Sequence, residues 1–263
     1  MKILFCGDVV GRAGRDAVKK FVPQLRAQHG LDAVIVNVDN AAGGFGINGD
    51  VLRDFKSCGI DVMTGGDHVF DQKDAPGLLG QEPKLLRPHN FPPGVPGTGL
   101  RTYTLENGKK LTVLHLLGQV FHKEYLDSPF RCAEAALAGL TLGGTTDAIV
   151  VDMHAEATSE KMAMGKFLDG KVSLVVGSHT HVPTADARIL PQGTGYMTDA
   201  GMCGDYDSII GFEPTGPMQQ FMLKYRKIRM EPASGPGTLS AVMVELGSNG
   251  LATAITPIQL TNQ

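Results

Sequence analysis

Short apolar runs rich in β-branched residues alternate with stretches of helical spacing through the first two thirds of this 263-residue chain. Residues 2–6, 32–38, 61–64, 111–116, 147–153 and 172–176 read as strands. Between them, residues 15–20, 51–57, 129–138 and 158–168 set apolar side chains three and four apart, as on one helix face. That alternation predicts an α/β fold, a sheet whose faces are covered by helices. Pro23 is expected to end the first helix or to open a second, because proline lacks the N–H that the preceding turn needs. The last third changes character. Residues 187–190, 194–198, 240–246 and 251–259 read as strands joined by Gly/Pro turns, with few helices. Residues 98–106 and 111–116, separated by Asn107-Gly108, predict a hairpin. The Pro/Gly-rich stretch 231–237 reads as an exposed loop, so one domain over 1–263 is the expectation.

Composition narrows the partners. A net charge of -3 provides no general attraction to nucleic acid or to an anionic membrane. There is no basic stripe with interleaved aromatics for RNA stacking, and neither DNA nor a membrane is expected as a partner. Four scattered cysteines without a C-x-x-C pair point to a reducing compartment. The N-terminal apolar run is too short for a signal peptide or a membrane span, so the cytoplasm is the expected location. Cys6 and Cys58 read as small buried residues.

The ends of the strands carry the chemistry. Asp8 follows the first, Asp39-Asn40 the second, Asp67-His68 the third, His154 the fifth, and His179-Thr180-His181 the sixth. Ligands bind beyond the carboxyl ends of strands in open α/β sheets. Singly, each residue has an ordinary explanation as a helix cap, turn or satisfied histidine. His179 and His181, at alternate positions, are expected to face one way. Three acids and three histidines brought together would be costly to bury without cations. Carboxylate and imidazole without thiolate suit Mn, Fe, Zn or Co. Six candidate ligands exceed what one tetrahedral ion takes, which favours two ions about 3.5–4 Å apart.

In this order, Gly7-Asp8, Asp39-Asn40, Gly66-Asp67-His68, His154 and Gly177-Ser178-His179-Thr180-His181 resemble the calcineurin-like metallophosphoesterase superfamily. More narrowly, GDVVGRAGR, NAAGGFGI, HAEATSEKMAMG, GSHTHVPTAD and TDAGMCG resemble its YmdB-type branch of 2',3'-cyclic-nucleotide phosphodiesterases. The resemblance implies two facing mixed β-sheets flanked by helices, with the site at one edge. It implies two transition-metal ions, iron or manganese first and zinc or cobalt as alternatives. Asp8 and His181 would bind the first ion, Asp67, His154 and His179 the second, and Asp39 would bridge them. Asn40 would be a polar neighbour aimed at the metals or phosphate, and His68 the acid that protonates the leaving oxygen. The implied reaction is attack of a metal-bridging hydroxide on a small phosphodiester, a 2',3'-cyclic nucleotide or an RNA end. Three positions depart from the pattern. Val10 stands where the superfamily has His, Asp39 where the branch has Glu, and Asp67 where it has Asn. Metal binding is expected to persist, with metal preference and rate altered.

Two rival readings compete. Gly7, Gly11 and Gly14 prompt a dinucleotide-binding oxidoreductase, but their spacing is G-x-x-x-G-x-x-G and Asp8 sits where a pyrophosphate would approach. The other rival is a metal-stapled regulatory or RNA-associated protein, in which the ions are structural and the site is closed. A homo-oligomer is compatible with either. His29, His89, His115 and His122 read as structural, and Met162 and Met164 as a buried helix surface. Glu156 and Glu160 read as acids favouring a helix dipole, and Asp199 as lining the site.

Overall fold

A computed structural model describes residues 1–122, 126–225 and 228–262. The chain opens with β1 (Lys2–Cys6), β2 (Asp8–Val9), α1 (Gly11–His29), β3 (Ala33–Asn37) and α2 (Gly49–Ser57). Next come β4 (Val62–Thr64), α3 (Ala75–Gln81), β5 (Leu85–Leu86), β6 (Leu100–Thr104) and β7 (Lys110–Leu117). Then follow α4 (Pro129–Leu137), β8 (Ala148–His154), α5 (Thr158–Phe167), β9 (Leu174–Ser178) and β10 (Arg188–Ile189). The last elements are β11 (Gly195–Met197), β12 (Met202–Asp205), α6 (Thr215–Leu223), β13 (Gly237–Leu246) and β14 (Ala252–Thr261).

These strands form two mixed sheets. The first runs β2-β12-β13-β1-β3-β4-β5, with β14 also paired to β13. In it β1, β3, β4 and β5 are parallel, and β13 runs antiparallel to β1. The second runs β10-β11-β9-β8-β7-β6. Its four inner strands are parallel and its two edge strands antiparallel.

β1 shows how sequence becomes layers. Successive side chains of a strand point to opposite faces. Ile3 and Phe5 therefore enter the core between the sheets, with Val113, Val150 and Val176 of the second sheet. Leu4 and Cys6 turn outward to Val18 and Val22 of α1. A strand covered on both faces reads as an unbroken apolar run. Beyond the second sheet, Met164 of α5 packs with Val151 and Val175. Each such buried side chain contributes roughly 1.5–3 kcal/mol relative to exposure.

Several expectations are corrected. Pro23 neither ends nor starts a helix, because α1 continues through it to His29. The ring lies on the exposed face, while Phe21, Val22 and Leu25 bury the other and hold the turn together. The last third contains α6, an additional helix, and β12, a strand that strand-like spacing did not mark. Met164 is buried, but Met162 is exposed. Cys6 is buried, whereas Cys58 is half-buried. The hairpin forms, with Thr104 opposite Lys110 and Gly108 at φ 80 in the turn.

The early glycines have a packing role. A Cβ on Gly7 would overlap the Gly201 carbonyl, and one on Gly14 would overlap the Cys203 carbonyl. They let β12 approach closely and do not open onto a pyrophosphate, which removes the basis of the dinucleotide reading. Among the described residues, no helix is long and apolar enough to cross a membrane.

Candidate metal centre

The site draws its two kinds of donor from two sheets. Asp8, Asp39 and Asp67 follow β1, β3 and β4 of the first sheet, whereas His154 ends β8 and His179 and His181 follow β9 of the second. All six converge at one edge of the sandwich, together with Asn40 and His68.

At one end, His154 Nε2 lies 3.0 Å from Asp67 Oδ1, 3.2 Å from His179 Nδ1 and 3.5 Å from Asp39 Oδ2. Asp67, His154 and His179 form one group able to hold an ion, and Asp39, Asp67 and His68 form another. At the other end, His181 Nε2 lies 3.1 Å from Asn40 Oδ1. Asp8 accepts the His179 backbone N–H at 3.0 Å and is fully buried.

The outward nitrogens show that this set suits cations. His154 Nδ1 meets Ser178 Oγ at 2.9 Å, His179 Nε2 meets Glu156 Oε2 at 3.2 Å, and His181 Nδ1 meets the Ile210 carbonyl at 2.7 Å. Each of these partners can accept a hydrogen bond from the ring N–H, which leaves the inward nitrogen of a neutral ring as a bare lone pair. Histidine ligands are held in this way. Lone pairs and carboxylate oxygens about 3 Å apart repel one another, but they match the edges of a shell with metal–ligand bonds of about 2.0–2.2 Å. Without a cation, protons stand in. Burial pushes the His154 pKa down, but hydrogen bonds to Asp39 and Asp67 outweigh it and raise it well above the ordinary value. Burial likewise works against the Asp67 carboxylate, yet His154 and His179 hold its pKa far below the usual range. Asp8 goes the other way, raised chiefly by burial.

The two histidines of the His-x-His segment do not face one way, as strand geometry would require. β9 ends at Ser178, and His179 and His181 adopt φ 95 and φ 66. Such left-handed backbone costs about 1–3 kcal/mol per residue and persists only where its surroundings impose it. Here it sends His179 toward Asp67 and His181 toward Asn40. Asp199 does not line the cleft as expected. It is fully buried behind this segment, accepting from Thr180 N, Thr180 Oγ1 and the buried Lys161 Nζ at 3.2, 2.7 and 2.6 Å.

A buried polar layer backs His154. Ser178 Oγ donates to Asp152 Oδ1 at 2.6 Å, while Thr64 Oγ1 and Asn37 Nδ2 donate to Asp152 Oδ2 at 2.6 and 3.1 Å. His115 Nδ1 lies 3.2 Å from the same oxygen. Burial opposes the charge on Asp152, but His115 and these donors win and bring its pKa down to about 2. His115 thus lies in the supporting layer, behind the candidate ligands. Sequence reasoning passed over Asp152, although an acid two residues before His154 in an otherwise apolar strand was a visible signal.

His68 stands at the mouth. Its Nδ1 meets Asp71 Oδ2 at 2.8 Å, its N–H donates to Asp39 Oδ1 at 3.1 Å, and its Nε2 is 3.7 Å from Asp67. Burial lowers its pKa, but Asp39, Asp67 and Asp71 raise it above the ordinary value. Two other expectations, for His122 and Glu156, are corrected here. His122 reaches the site, its ring 4.8 Å from that of His179. Burial and the two neighbouring histidines bring its pKa down to about 4. Glu156 precedes α5 and contacts His179, whereas Glu160 does sit in the first turn of α5 as expected and also accepts the backbone N–H groups of Gln119 and Val120, holding the segment that leads to His122. Val10, at the position of the missing histidine, is buried against Gly204 and Gly211.

Comparison with known proteins agrees with this geometry. Residues 4–258 match the family model described as YmdB-like protein. The chain is 44% identical to the 2',3'-cyclic-nucleotide 2'-phosphodiesterase of Bacillus subtilis (strain 168), covering 94% of this chain and 91% of that one. It superposes on a structure titled as a novel phosphatase of Mycoplasma pneumoniae with TM-score 0.91 and 32% identity, over 99% of this chain and 93% of that one. A 5'-nucleotidase precursor from Thermus thermophilus shares the fold at TM-score 0.57 and 13% identity, over 99% of this chain and 54% of that one. The two facing mixed sheets with outer helices are those of the calcineurin-like metallophosphoesterases.

Proposed function

The chain belongs to the YmdB-like family, and from that membership and the site we propose a dinuclear-metal phosphodiesterase acting on 2',3'-cyclic nucleotides or related small diesters. One observation carries the reading. Two buried acids, a half-buried third and three imidazoles converge, and each imidazole's outward nitrogen has an acceptor of its own.

In this reading Asp8 and His181, with Asn40 beside them, would hold one ion and Asp67, His154 and His179 the other, while Asp39 would serve both. The mixed oxygen and nitrogen donors favour iron or manganese, with zinc or cobalt as alternatives. Bound there, two such ions supply Lewis-acid stabilisation of the phosphoryl oxygens and a nucleophile from water at neutral pH. The chain's own groups do the rest. Asn37, Ser178 and Asp152 keep His154 in one orientation. Glu156 and the Ile210 carbonyl do the same for His179 and His181. His68, with its Nδ1 held by Asp71, gives a proton from Nε2 to the ribose oxygen as one P–O ester bond breaks and a water oxygen bonds to phosphorus. Asp71 fixes the ring's other nitrogen.

A cleft of about 420 Å³, lined by Asp39, Asn40, His68, His179 and His181 among others, opens beside the ligands. That space favours an enzyme over a closed structural staple. Both sheets contribute donors, so residues 1–263 are proposed to act as one unit, and the free cysteines favour the cytoplasm. The test pairs metal analysis of the purified protein with hydrolysis of 2',3'-cyclic AMP and of bis(p-nitrophenyl) phosphate. Two ions per chain and cleavage of both esters are expected. Full occupancy without cleavage of either would overturn the enzyme, and cleavage of the aryl ester alone would remove the cyclic-nucleotide assignment.

A further inference from the structure

The cleft beside the ligands is two-sided. Its polar side is the site itself, and beside it an apolar wall is formed by Phe45, Ile210, Phe212 and Met230. Phe45 and Phe212 have ring centroids 5.6 Å apart, tilted by 37°. Phe45 also meets the His68 ring edge-on at 5.0 Å. The backbone is arranged to seat these groups. Gly44 sits at φ 92, and a Cβ there would lie 2.7 Å from the Phe212 ring. Ile210 sits at φ 47, an outlier for a β-branched residue, and is 46% exposed. The hydrogen bond from His181 to its carbonyl holds that backbone beside the cleft.

We propose that this wall is a nucleobase subsite, in which Phe45 stacks the base of the substrate's leaving side while the site beside it takes the phosphate. The inference rests on the phosphodiesterase reading and adds where the nucleoside lies. The geometry supplies the direction. His68 protonates the departing ribose oxygen, so the ribose lies on the His68 side, and the next ring along that side is Phe45. A pocket anionic-seeking at one end and flat and apolar at the other fits a nucleotide. The volume lies within the range of about 300–1,000 Å³ for sites that enclose a small ligand. None of the four wall side chains carries an N–H or O–H donor. The subsite therefore ranks bases by stacking area, purine above pyrimidine, and does not read their edges.

The test compares adenosine 2',3'-cyclic phosphate with ribose 2',3'-cyclic phosphate, which lacks the base, in metal-loaded wild type and Phe45→Leu. Wild type is expected to favour the nucleoside ester by roughly tenfold or more in kcat/KM, and Phe45→Leu to lose most of that preference. A disturbance of His68 alone lowers both substrates together and leaves the ratio intact. Calorimetric titration with adenosine 3'-monophosphate and ribose 3-phosphate provides a second readout, and the same loss of preference in Kd is expected. Equal kcat/KM for the two esters in wild type would overturn the subsite, as would an unchanged ratio in a folded, active Phe45→Leu. Failure of wild type to cleave either ester would overturn the phosphodiesterase reading instead, and the titration would still decide the subsite.

Discussion

The two ends of the site are built alike but held differently. Around His181 and Asn40 the supports are main chain, because His181 Nδ1 bonds the Ile210 carbonyl and Asn40 Nδ2 donates to the Gly44 carbonyl. Around His154 they are side chains, Ser178, Asp152, Thr64 and Asn37, stacked in a buried layer. Main-chain supports survive substitution of the residue that provides them, whereas side-chain supports do not. One end should therefore tolerate changes in its surroundings, and the other should fail through residues that never touch a ligand.

The largest effect is expected from removing what the ends share. Asp39→Ala should lower kcat/KM by roughly a thousandfold or more and lower metal content at both ends. Loss of one ion only, read by metal analysis, would place Asp39 at a single end. Next comes the contrast itself. Asp152→Asn should weaken the ion held by Asp67, His154 and His179 by roughly ten- to a hundredfold, leaving the other within about threefold. Ile210→Gly, which keeps the carbonyl, should leave both within about threefold. Competition titration with a chelating dye reads both variants, and equal weakening of both ions in Asp152→Asn would erase the distinction.

The smallest effect is one of pH. The raised pKa of His154 means that its proton stabilises the metal-free fold most below the ordinary histidine value, and that this contribution is lost as pH rises through the raised value. A cation displaces the same proton. The gap in Tm between metal-loaded and chelated protein should therefore widen from mildly acidic to mildly alkaline solution. A gap that narrows over that range would show that His154 does not compete with metal.

Much of this was legible in the sequence because the parallel strands are short, apolar and punctuated. β1 was bounded correctly, and β3, β4, β8 and β9 to within a few residues, because burial on both faces keeps the runs apolar nearly to the strand ends, Asp152 of β8 being the exception. Whatever depends on distant packing was not legible. Pro23 sits inside a helix because Val22 and Leu25 are buried by the sheet, which no local rule anticipates. α6 has no periodic apolar face, and Phe221, Met222 and Leu223 are all exposed. His122 belongs to no spaced motif and arrives on a segment anchored by Glu160, some forty positions further along. The opposed directions of His179 and His181 follow from two left-handed residues that their side-chain types do not encode.

The division of donors between the sheets has a mechanical side. Every acid among the proposed ligands hangs from the first sheet, and every imidazole from the second. Ions held between them would rivet the two halves of the sandwich, so that parting the sheets and releasing metal become one event. The mechanical integrity of the fold would then follow the free concentration of the ion. Under chelation, the slowest amides to exchange with deuterium should include those of β1 and β8, where the sheets meet, and these should be the ones that quicken.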